Sequence, residues 1–458
     1  MEEPLSPEET LHGLHAVCRK IYKESLPDRL IEAIERMMEL AKESTSATQE
    51  LNSFCKESTH VKLTEYKVPD IVLPVGYSAT LFDAKVKCKG PDDTVYKNNP
   101  KMRRLIARGT TMIQLEGPES YFDTVVYANK KFIGGVGDED ETQPENDLIW
   151  QQYCLQPPEV AKEVVCMTKL NGEAAHFSGR YIGGKFYIFT GSKNTHMMIK
   201  KKEEVDLYSD SRFSVARTVA KAVCEALEEM DPSRRHWLFS FLHHTKCTAV
   251  CEILQPDYQH IVELSYLEKP EINFIAFTPT ASQSQELSLT ALPPHHNLDL
   301  IRALNLKCAD YTIINSSNIL AHRDEVRAQY CKEGEVFYYL NNSGETIGIA
   351  KAKTVWYILL RALREKVVYS FTVAKKNGKF DLTTRTNAIF KRFNEIRNWL
   401  HFSDSCLQQW KDLAKSFMLW LNNECSSGRL QSQNIRPRFP VIWRNFLDTT
   451  ESNDKIPS

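Results

Sequence analysis

The spacing of apolar residues changes twice along the chain. Through about the first sixty residues, apolar side chains recur every three or four positions, the period of an amphipathic helix, with one break at Pro27. Shorter apolar runs separated by turn residues follow, a pattern typical of β-strands. The last ninety residues return to helical spacing. The pattern predicts an α+β chain with a helical segment at residues 1–58, a strand-rich domain at 59–370 and a helical domain at 371–458.

Local signals refine the two helical regions. Ser6 followed by Glu9 is a capping box, so we expect a helix to begin there. Residues 43–48 are polar and small, which predicts a loop after the second helix. Near the C terminus, Ser403 lies between two apolar stripes, and a capping residue at this point predicts a break between two helices.

The middle region contains recognisable turns and runs. Glycines 183–184 and residues 342–344 each separate two apolar runs, which predicts two β-hairpins. Residues 70–74 are predicted to form a strand and residues 213–230 a helix. The acidic residues 137–141 are predicted to form a solvated loop.

Composition narrows the class of protein. The 458 residues are too many for one core, and 42% hydrophobic and 26% charged residues exclude a disordered or collagen-like chain. The twelve cysteines include no C-x-x-C pair, so reduced thiols are expected. The start resembles no secretory signal, and no apolar stretch is long enough to span a bilayer. We therefore expect a protein of the cytosol or nucleus that is not secreted and has no membrane partner.

Charge is balanced overall but not locally. The chain has 58 Lys and Arg against 59 Asp and Glu, which excludes a uniformly basic nucleic-acid coat. Residues 351–400, however, carry a net charge of +9 with eight interleaved aromatic residues. This composition suits a nucleic-acid backbone, and the alternative is a basic helical face on a neutral protein.

A lysine followed by an amide and a glycine is the first candidate for chemistry. Lys169, Asn171 and Gly172 come directly after the apolar residues 163–168. A lysine at the end of a strand can be a nucleophile, but only as the free amine. Taken alone, these residues are better explained by a surface hairpin with a solvated lysine.

Four later residues form an ordered series with this lysine. Glu252 lies in the middle of an apolar run, and Glu333 opens another. Lys351 and Lys353 share one face of a predicted strand, because side chains alternate with a period of two. Each of these residues, taken singly, has an alternative explanation as an ion-paired or solvated residue of a strand.

Together these residues resemble the motifs of the covalent nucleotidyltransferases, which include RNA ligases, DNA ligases and mRNA capping enzymes. Residues 169–172 are similar to motif I, K-x-[DN]-G, with Asn171 at the position where aspartate is commoner. Glu252 stands where motif III has its carboxylate. Residues 333–336 resemble motif IV, E-G-x-V, and residues 351–353 resemble motif V, K-x-K.

Two upstream stretches resemble the single-strand RNA ligases of the phage-type and fungal tRNA-splicing groups. Arg108 begins a stretch similar to R-G-x-x-F, although Met112 replaces the aromatic residue. Lys131 begins a stretch similar to K-F-F-N, although residues 133–134 differ. The resemblance covers about residues 64–362.

The resemblance implies an antiparallel-sheet nucleotidyltransferase (ligase adenylation) domain flanked by N- and C-terminal helical segments. It implies an ATP-dependent RNA ligase, in which Lys169 forms a covalent lysyl-AMP and AMP passes to a 5′-phosphate before a 3′-hydroxyl seals the strand. The metal, Mg²⁺ or Mn²⁺, would be held by Glu252 and Glu333. Neighbouring cations, burial and this metal are expected to lower the pKa of Lys169. Ten residues are expected to bind ATP: Arg108, Lys131, Asn171, Gly172, Lys193, Glu252, Phe274, Phe277, Lys351 and Lys353. Of these, either Phe274 or Phe277 would stack on the base.

Two other functions share these residues. The first is a GTP-using capping-type guanylyltransferase, which would be favoured by an OB-fold after residue 353. The second is a catalytically inactive RNA-binding module. The chain has no G-x-x-x-x-G-K-[ST] loop, so RNA ends are expected to arrive as 5′-phosphate and 3′-hydroxyl, or to be prepared by an end-healing kinase or phosphatase partner. The oligomeric state stays open.

Overall fold

The structure of the protein is a computed structural model that describes residues 3–135, 147–280, 287–377, 380–453 and 456. The acidic residues 137–141 lie outside this set. Within it, strands and helices alternate through the middle of the chain, and helices alone form both ends. No helix in the described residues is long and apolar enough to cross a lipid bilayer.

Three antiparallel sheets form the middle of the molecule. The first sheet joins, in order, β1 (Val61–Lys67), β2 (Ser78–Val86), β3 (Thr110–Glu116) and β4 (Tyr121–Tyr127). The third has the order β11 (Tyr311–Asn315), β5 (Glu163–Thr168), β12 (Gly334–Leu340) and β13 (Thr346–Lys353). All strands of the second sheet lie between β5 and β11 in the chain. Its order is β10 (Glu271–Thr278), β9 (Thr248–Leu254), β6 (Glu173–Ile182), β7 (Lys185–Ser192) and β8 (Thr195–Ile199).

Helices cover these sheets and extend beyond them. The N-terminal helices are α1 (Pro7–Cys18), α2 (Asp28–Ala41) and α3 (Ser44–Glu57). Those within the sheet region are α4 (Asp93–Asn98), α5 (Pro100–Leu105), α6 (Ser214–Glu228), α7 (Pro232–Thr245), α8 (Pro294–Ala303) and α9 (Ile319–Arg327). The C-terminal helices are α10 (Val355–Asn377), α11 (Leu382–Leu400), α12 (Asp404–Ser426) and α13 (Phe439–Thr449). An α+β class with antiparallel sheets and flanking helices is therefore confirmed.

The N-terminal helices form part of the main core. Leu14, Leu30 and Ile34 are buried in the same apolar cluster as the central strands, so these helices cap the sheets. The predicted capping box is present, because Ser6 Oγ accepts from the Glu9 N–H and the Glu9 carboxylate accepts from the Ser6 N–H at 2.7 Å.

The prediction of a loop at residues 43–48 is wrong, because α3 begins at Ser44. Its polar side chains find distant partners. Thr48 Oγ1 donates to the Ser44 carbonyl at 2.8 Å and lies 2.7 Å from Thr124 Oγ1 on β4. Ser44 Oγ accepts from Lys246 Nζ. Burying hydrogen-bonded polar groups costs little, so tertiary contacts override the weak helix propensity of this segment.

The predicted strand at residues 70–74 is also wrong, because Asp70–Val72 form a 3-10 turn. Pro69 and Pro74 flank it, and neither can donate the N–H that a sheet requires. The Val72 N–H instead donates to the Pro69 carbonyl at 2.9 Å. Val72 is buried and Ile71 is exposed, so the apolar run divides between core and solvent.

The predicted hairpins are confirmed. Ile182 pairs with Lys185 across the two glycines, and Leu340 pairs with Thr346 across the second turn. Helix α6 lies within the range predicted for it, and Ser403 caps α12 by accepting from the Cys406 N–H.

The C-terminal helices have an apolar cluster of their own, centred on Trp410, Phe417 and Phe439. Helix α10 contributes to this cluster from Trp356 onward and continues across residue 370. The boundary predicted between residues 370 and 371 therefore falls within a helix, and the C-terminal helical domain begins at Val355.

Candidate functional site

Lys169 lies at the junction of two strands of the third sheet. Strand β5 ends at Thr168, and the Lys169 N–H donates to the Gly334 carbonyl at 2.9 Å. This backbone bond places Lys169 beside Glu333, the residue before β12. Lys169 Nζ lies 3.0 Å from Glu333 Oε1, and the two side chains are 22% and 5% exposed. The lysine is thus partly accessible, and its partner carboxylate is buried.

Both ends of the Asn171 amide are used. Its Nδ2 donates to Glu333 Oε2 at 2.6 Å and to the Tyr357 hydroxyl at 3.2 Å. Its Oδ1 accepts from the N–H groups of Ile261 and Val262, at 2.9 Å each. An aspartate could accept the two backbone bonds but could not donate to a second carboxylate. The hydrogen bonds therefore explain asparagine at this position.

Gly172 brings the turn after Lys169 against β9. Its N–H donates to Glu252 Oε1 at 3.1 Å. A Cβ at this position would lie 2.1 Å from the Ile253 carbonyl oxygen, so only glycine fits without displacing the strand. The turn thus holds Lys169 and Glu252 in one site.

Lys169, Glu252 and Glu333 shift one another's pKa values. Burial by itself would lower the pKa of Lys169. The neighbouring carboxylates of Glu333 and Glu252 raise it by a larger amount, so the pKa lies above its usual value. The expected lowering of this pKa is not found in this structure, because Glu333 and Glu252 outweigh the effect of burial on the lysine. Burial likewise raises the pKa of Glu252 to about 7, with Glu333 adding to the rise and Lys169 opposing it. For Glu333, burial is outweighed by Lys169 and Lys353, and the pKa is lowered.

Three of the predicted ATP-binding cations converge on one carboxylate. Asp92 lies 2.7 Å from Lys193 Nζ, 3.1 Å from Lys131 Nζ and 3.6 Å from Arg108 Nε. Lys131 also pairs with Asp93. Burial would raise the pKa of Asp92, but Arg108, Lys131 and Lys193 lower it well below its usual range. These three cations form a cluster around the carboxylate of Asp92.

These groups line one cavity of about 1370 Å³ between the sheets and the C-terminal helices. Its described lining includes fourteen Lys and Arg side chains and six Asp and Glu side chains. Lys351 and Lys353 reach it from β13, and Arg361 and Lys366 reach it from α10. The cavity is therefore suited to a polyanionic ligand.

Phe274 and Phe277 do not lie in the cavity. Both are fully buried in the main core, where their rings pack against each other and Phe277 packs against Phe241. The expectation that either stacks on a base is wrong for this structure, because neither presents a ring face to the cavity. Strict period-two alternation would place these two rings on opposite faces of β10, but an irregularity of the strand between Phe274 and Ala276 allows both to enter the core.

Sequence reasoning missed several residues of the site. Phe132 and Tyr357 are aromatic residues that line the cavity, and Asp92 and Asp93 line it as well. Tyr357 follows Lys353 by four residues in the chain, and this proximity was a usable signal. Asp92 gave none, since its partners lie up to 101 residues away in the chain.

Glu252 and Glu333 have the chemistry of a magnesium site. Hard cations prefer carboxylate oxygens, and both carboxylates are held close to Lys169. Burial disfavours the charged form of Glu252, and Glu333 adds to that effect. A divalent cation would favour the charged form, so the residues present fit the ion.

A protein-family model described as "Domain of unknown function (DUF7920)" matches residues 75–364. The match begins just before β2 and ends within α10, so it contains Arg108, Lys169 and Lys353. Comparison with curated proteins and comparison with solved structures each found no match. Because the family model covers more than half of the 458 residues, the chain belongs to the family Domain of unknown function DUF7920.

Proposed function

We propose that the protein is an ATP-dependent RNA ligase whose nucleophile is Lys169. One observation carries the proposal: the Lys169 amine lies 3.0 Å from a buried glutamate in a large cavity rich in cations. The motif residues Asn171, Glu252 and Lys353 reach the same cavity from three separate parts of the chain. This arrangement supports the nucleotidyltransferase assignment of the three sheets.

The first step is transfer of AMP to Lys169. The amine attacks the α-phosphorus of ATP, a P–N bond forms, and the bond to pyrophosphate breaks. Because Glu333 and Glu252 keep Lys169 protonated, the lysine must first lose a proton to the solvent of the cavity before it attacks. A magnesium ion held by these two carboxylates would supply positive charge that weakens their hold on the lysine proton.

The cations of the cavity have a second role. Negative charge builds on the triphosphate as pyrophosphate leaves, and preorganised cations stabilise it. Lys353 lies near Glu333 and Lys351 near Asp93, whereas Arg108, Lys131 and Lys193 are held by Asp92. Phosphate groups would compete with Asp92 for that cluster.

The RNA ends would enter from the C-terminal helices. Arg361, Arg364 and Lys366 of α10 and Arg392 of α11 line the same cavity as Lys169. Contacts from such side chains to phosphate bind a strand without reading its bases. The activated 5′-phosphate would receive AMP from Lys169, and a 3′-hydroxyl would then displace AMP and seal the strand.

The structure disfavours the capping alternative. From residue 355 onward, the described residues form helices and 3-10 turns and no strands, so they contain no OB-fold. The hydrogen bonds of Asn171 also remove one reason to suspect an inactive module, since asparagine is built into the site.

The test is covalent self-labelling. The pure protein is mixed with α-labelled ATP or GTP and Mg²⁺, denatured, and examined for a labelled band. Lys169→Arg keeps a positive charge beside buried Glu333 but removes the nucleophile, so it should remain folded and lose the label. Lys162→Arg, at the exposed other end of the same strand, is the control.

Each outcome distinguishes the candidates. A label from ATP that Lys169→Arg abolishes supports the proposal. Preference for GTP would favour a capping enzyme. RNA binding without any label would favour the inactive module. A label that survives in Lys169→Arg would exclude this lysine as the nucleophile.

A further inference from the structure

A second group of potential ligands lies on the face of the third sheet that α9 covers. Cys166 of β5, Glu335 of β12 and His322 of α9 each contribute one ligand atom, and these atoms all lie within 4.8 Å of one another. His322 Nε2 is 2.7 Å from Glu335 Oε2. The group is separate from the cavity that contains Lys169, because these residues do not line that cavity.

The strand register explains why these side chains meet. Cys166 pairs with Phe337 across β5 and β12, and Glu335 is two residues before Phe337. Cys166 and Glu335 are therefore diagonal neighbours on one face. Helix α9 then places His322 over both of them.

We infer that Cys166, His322 and Glu335 form a zinc site. Thiolate, imidazole and carboxylate are the ligands that Zn²⁺ takes in proteins, whereas Mg²⁺ prefers oxygen alone. One thiolate and one carboxylate neutralise the two charges of the ion, which suits a site where Cys166 is 2% exposed and the other side chains are 18% exposed. Three protein ligands leave a fourth position for water.

The remaining nitrogen of the imidazole has a partner too. His322 Nδ1 lies 3.5 Å from Glu325 Oε2, one turn along α9. A carboxylate on the second ring nitrogen fixes the orientation of a zinc-bound histidine, and its loss typically weakens metal binding 10- to 100-fold. Glu325 is thus a positioning residue of this site.

Binding would release a proton. The Zn–S bond forms as the S–H bond of Cys166 breaks, and the proton passes to solvent.

Cobalt is the probe for the first experiment. The full chain is stripped with a chelator and titrated with Co²⁺, and the thiolate-to-cobalt charge-transfer band is recorded before Zn²⁺ displaces the cobalt. The expected result is one ion per chain, with at least about 100-fold weaker binding in Cys166→Ser and His322→Ala and about tenfold in Glu325→Gln. Cys88→Ser, which alters an exposed cysteine, should bind as the unaltered protein does. An undiminished band in Cys166→Ser would overturn the inference.

A second measurement needs no variant. The unaltered protein is alkylated with and without Zn²⁺, and modification of each cysteine is followed by mass spectrometry. Zinc should slow alkylation of Cys166 at least about tenfold while leaving exposed Cys331 unchanged. Equal rates at Cys166 with and without the ion would contradict the site even if the variants failed to fold.

Discussion

At the scale of single residues, the buried charge of Glu252 lowers the stability of the folded protein. Its pKa of about 7 lies above the value expected in the unfolded chain, so folding binds a proton between these two values. The ligand-free protein therefore loses stability as the pH rises through this range. A cation at the site would compensate this charge, so metal binding should be linked to loss of the proton from Glu252.

Glu252→Gln tests this loss of stability. Glutamine keeps an acceptor for the Gly172 N–H but carries no charge, so the free energy of unfolding should rise by about 3 kcal/mol at pH 8 and change little at pH 4. Urea denaturation at the two pH values measures this, and self-labelling should fall. A variant that is less stable than the unaltered protein at pH 8 would contradict the assignment.

Asn171→Asp tests the hydrogen bond to Glu333. The new carboxylate keeps the two backbone bonds but loses the donation and adds a like charge beside a buried one. We expect the free energy of unfolding to fall by about 1.5–3 kcal/mol at pH 7, the range for a hydrogen bond to a charged group. Asn194→Asp, an exposed position on the cavity rim, should change stability little. Equal stability of the two variants would show that the amide donation is not needed.

At the scale of elements, the segment between β2 and α4 controls the cation cluster. Asp92→Asn leaves Arg108, Lys131 and Lys193 without their shared carboxylate. Inorganic triphosphate should then bind about tenfold more tightly, or about 1.4 kcal/mol, with a steeper dependence on salt. Calorimetry at two salt concentrations measures this, and Asp70→Asn, an exposed pair with Lys67, is the control. Unchanged affinity would mean that phosphate does not use this cluster.

The elements also show what could be predicted from sequence. The hairpin glycines and the Ser6 cap act through neighbours in the chain, so local pattern identified them. The helix at Ser44 depends on Lys246 and Thr124, and the Asp92 cluster depends on residues brought together only by folding. Lys169, Asn171 and Glu333 were identified together because of their resemblance to a motif series, since no spacing rule connects positions 162 residues apart.

At the scale of the whole molecule, the cavity combines residues of the sheets and of the C-terminal helices. Lys366 and Arg392 line it from the helical side. If RNA enters there, Lys366→Ala with Arg392→Ala should weaken RNA binding about tenfold and lower the slope of log affinity against log salt by about one to two. Self-labelling should fall less than RNA joining.

The control for this double variant is a pair of lysines elsewhere in the helical domain. Lys411 and Lys415 of α12 do not line the cavity, and replacing both with alanine removes the same total charge. Filter binding across a salt series compares the two proteins. If both pairs of substitutions reduce binding equally, the cavity rim has no special part in contacting RNA.

The Asn171 amide also joins the two halves of the molecule. Its oxygen holds the loop at Ile261, whose side chain packs among the C-terminal helices, and Gln259 of that loop donates its N–H to the Pro437 carbonyl. Its nitrogen reaches Tyr357 in the first turn of α10. A rotation of the helical domain would therefore displace the turn that carries Lys169, the proposed nucleophile. RNA binding on the helical side of the cavity and ATP binding beside Lys169 should therefore be thermodynamically coupled, each changing the affinity for the other by the same factor.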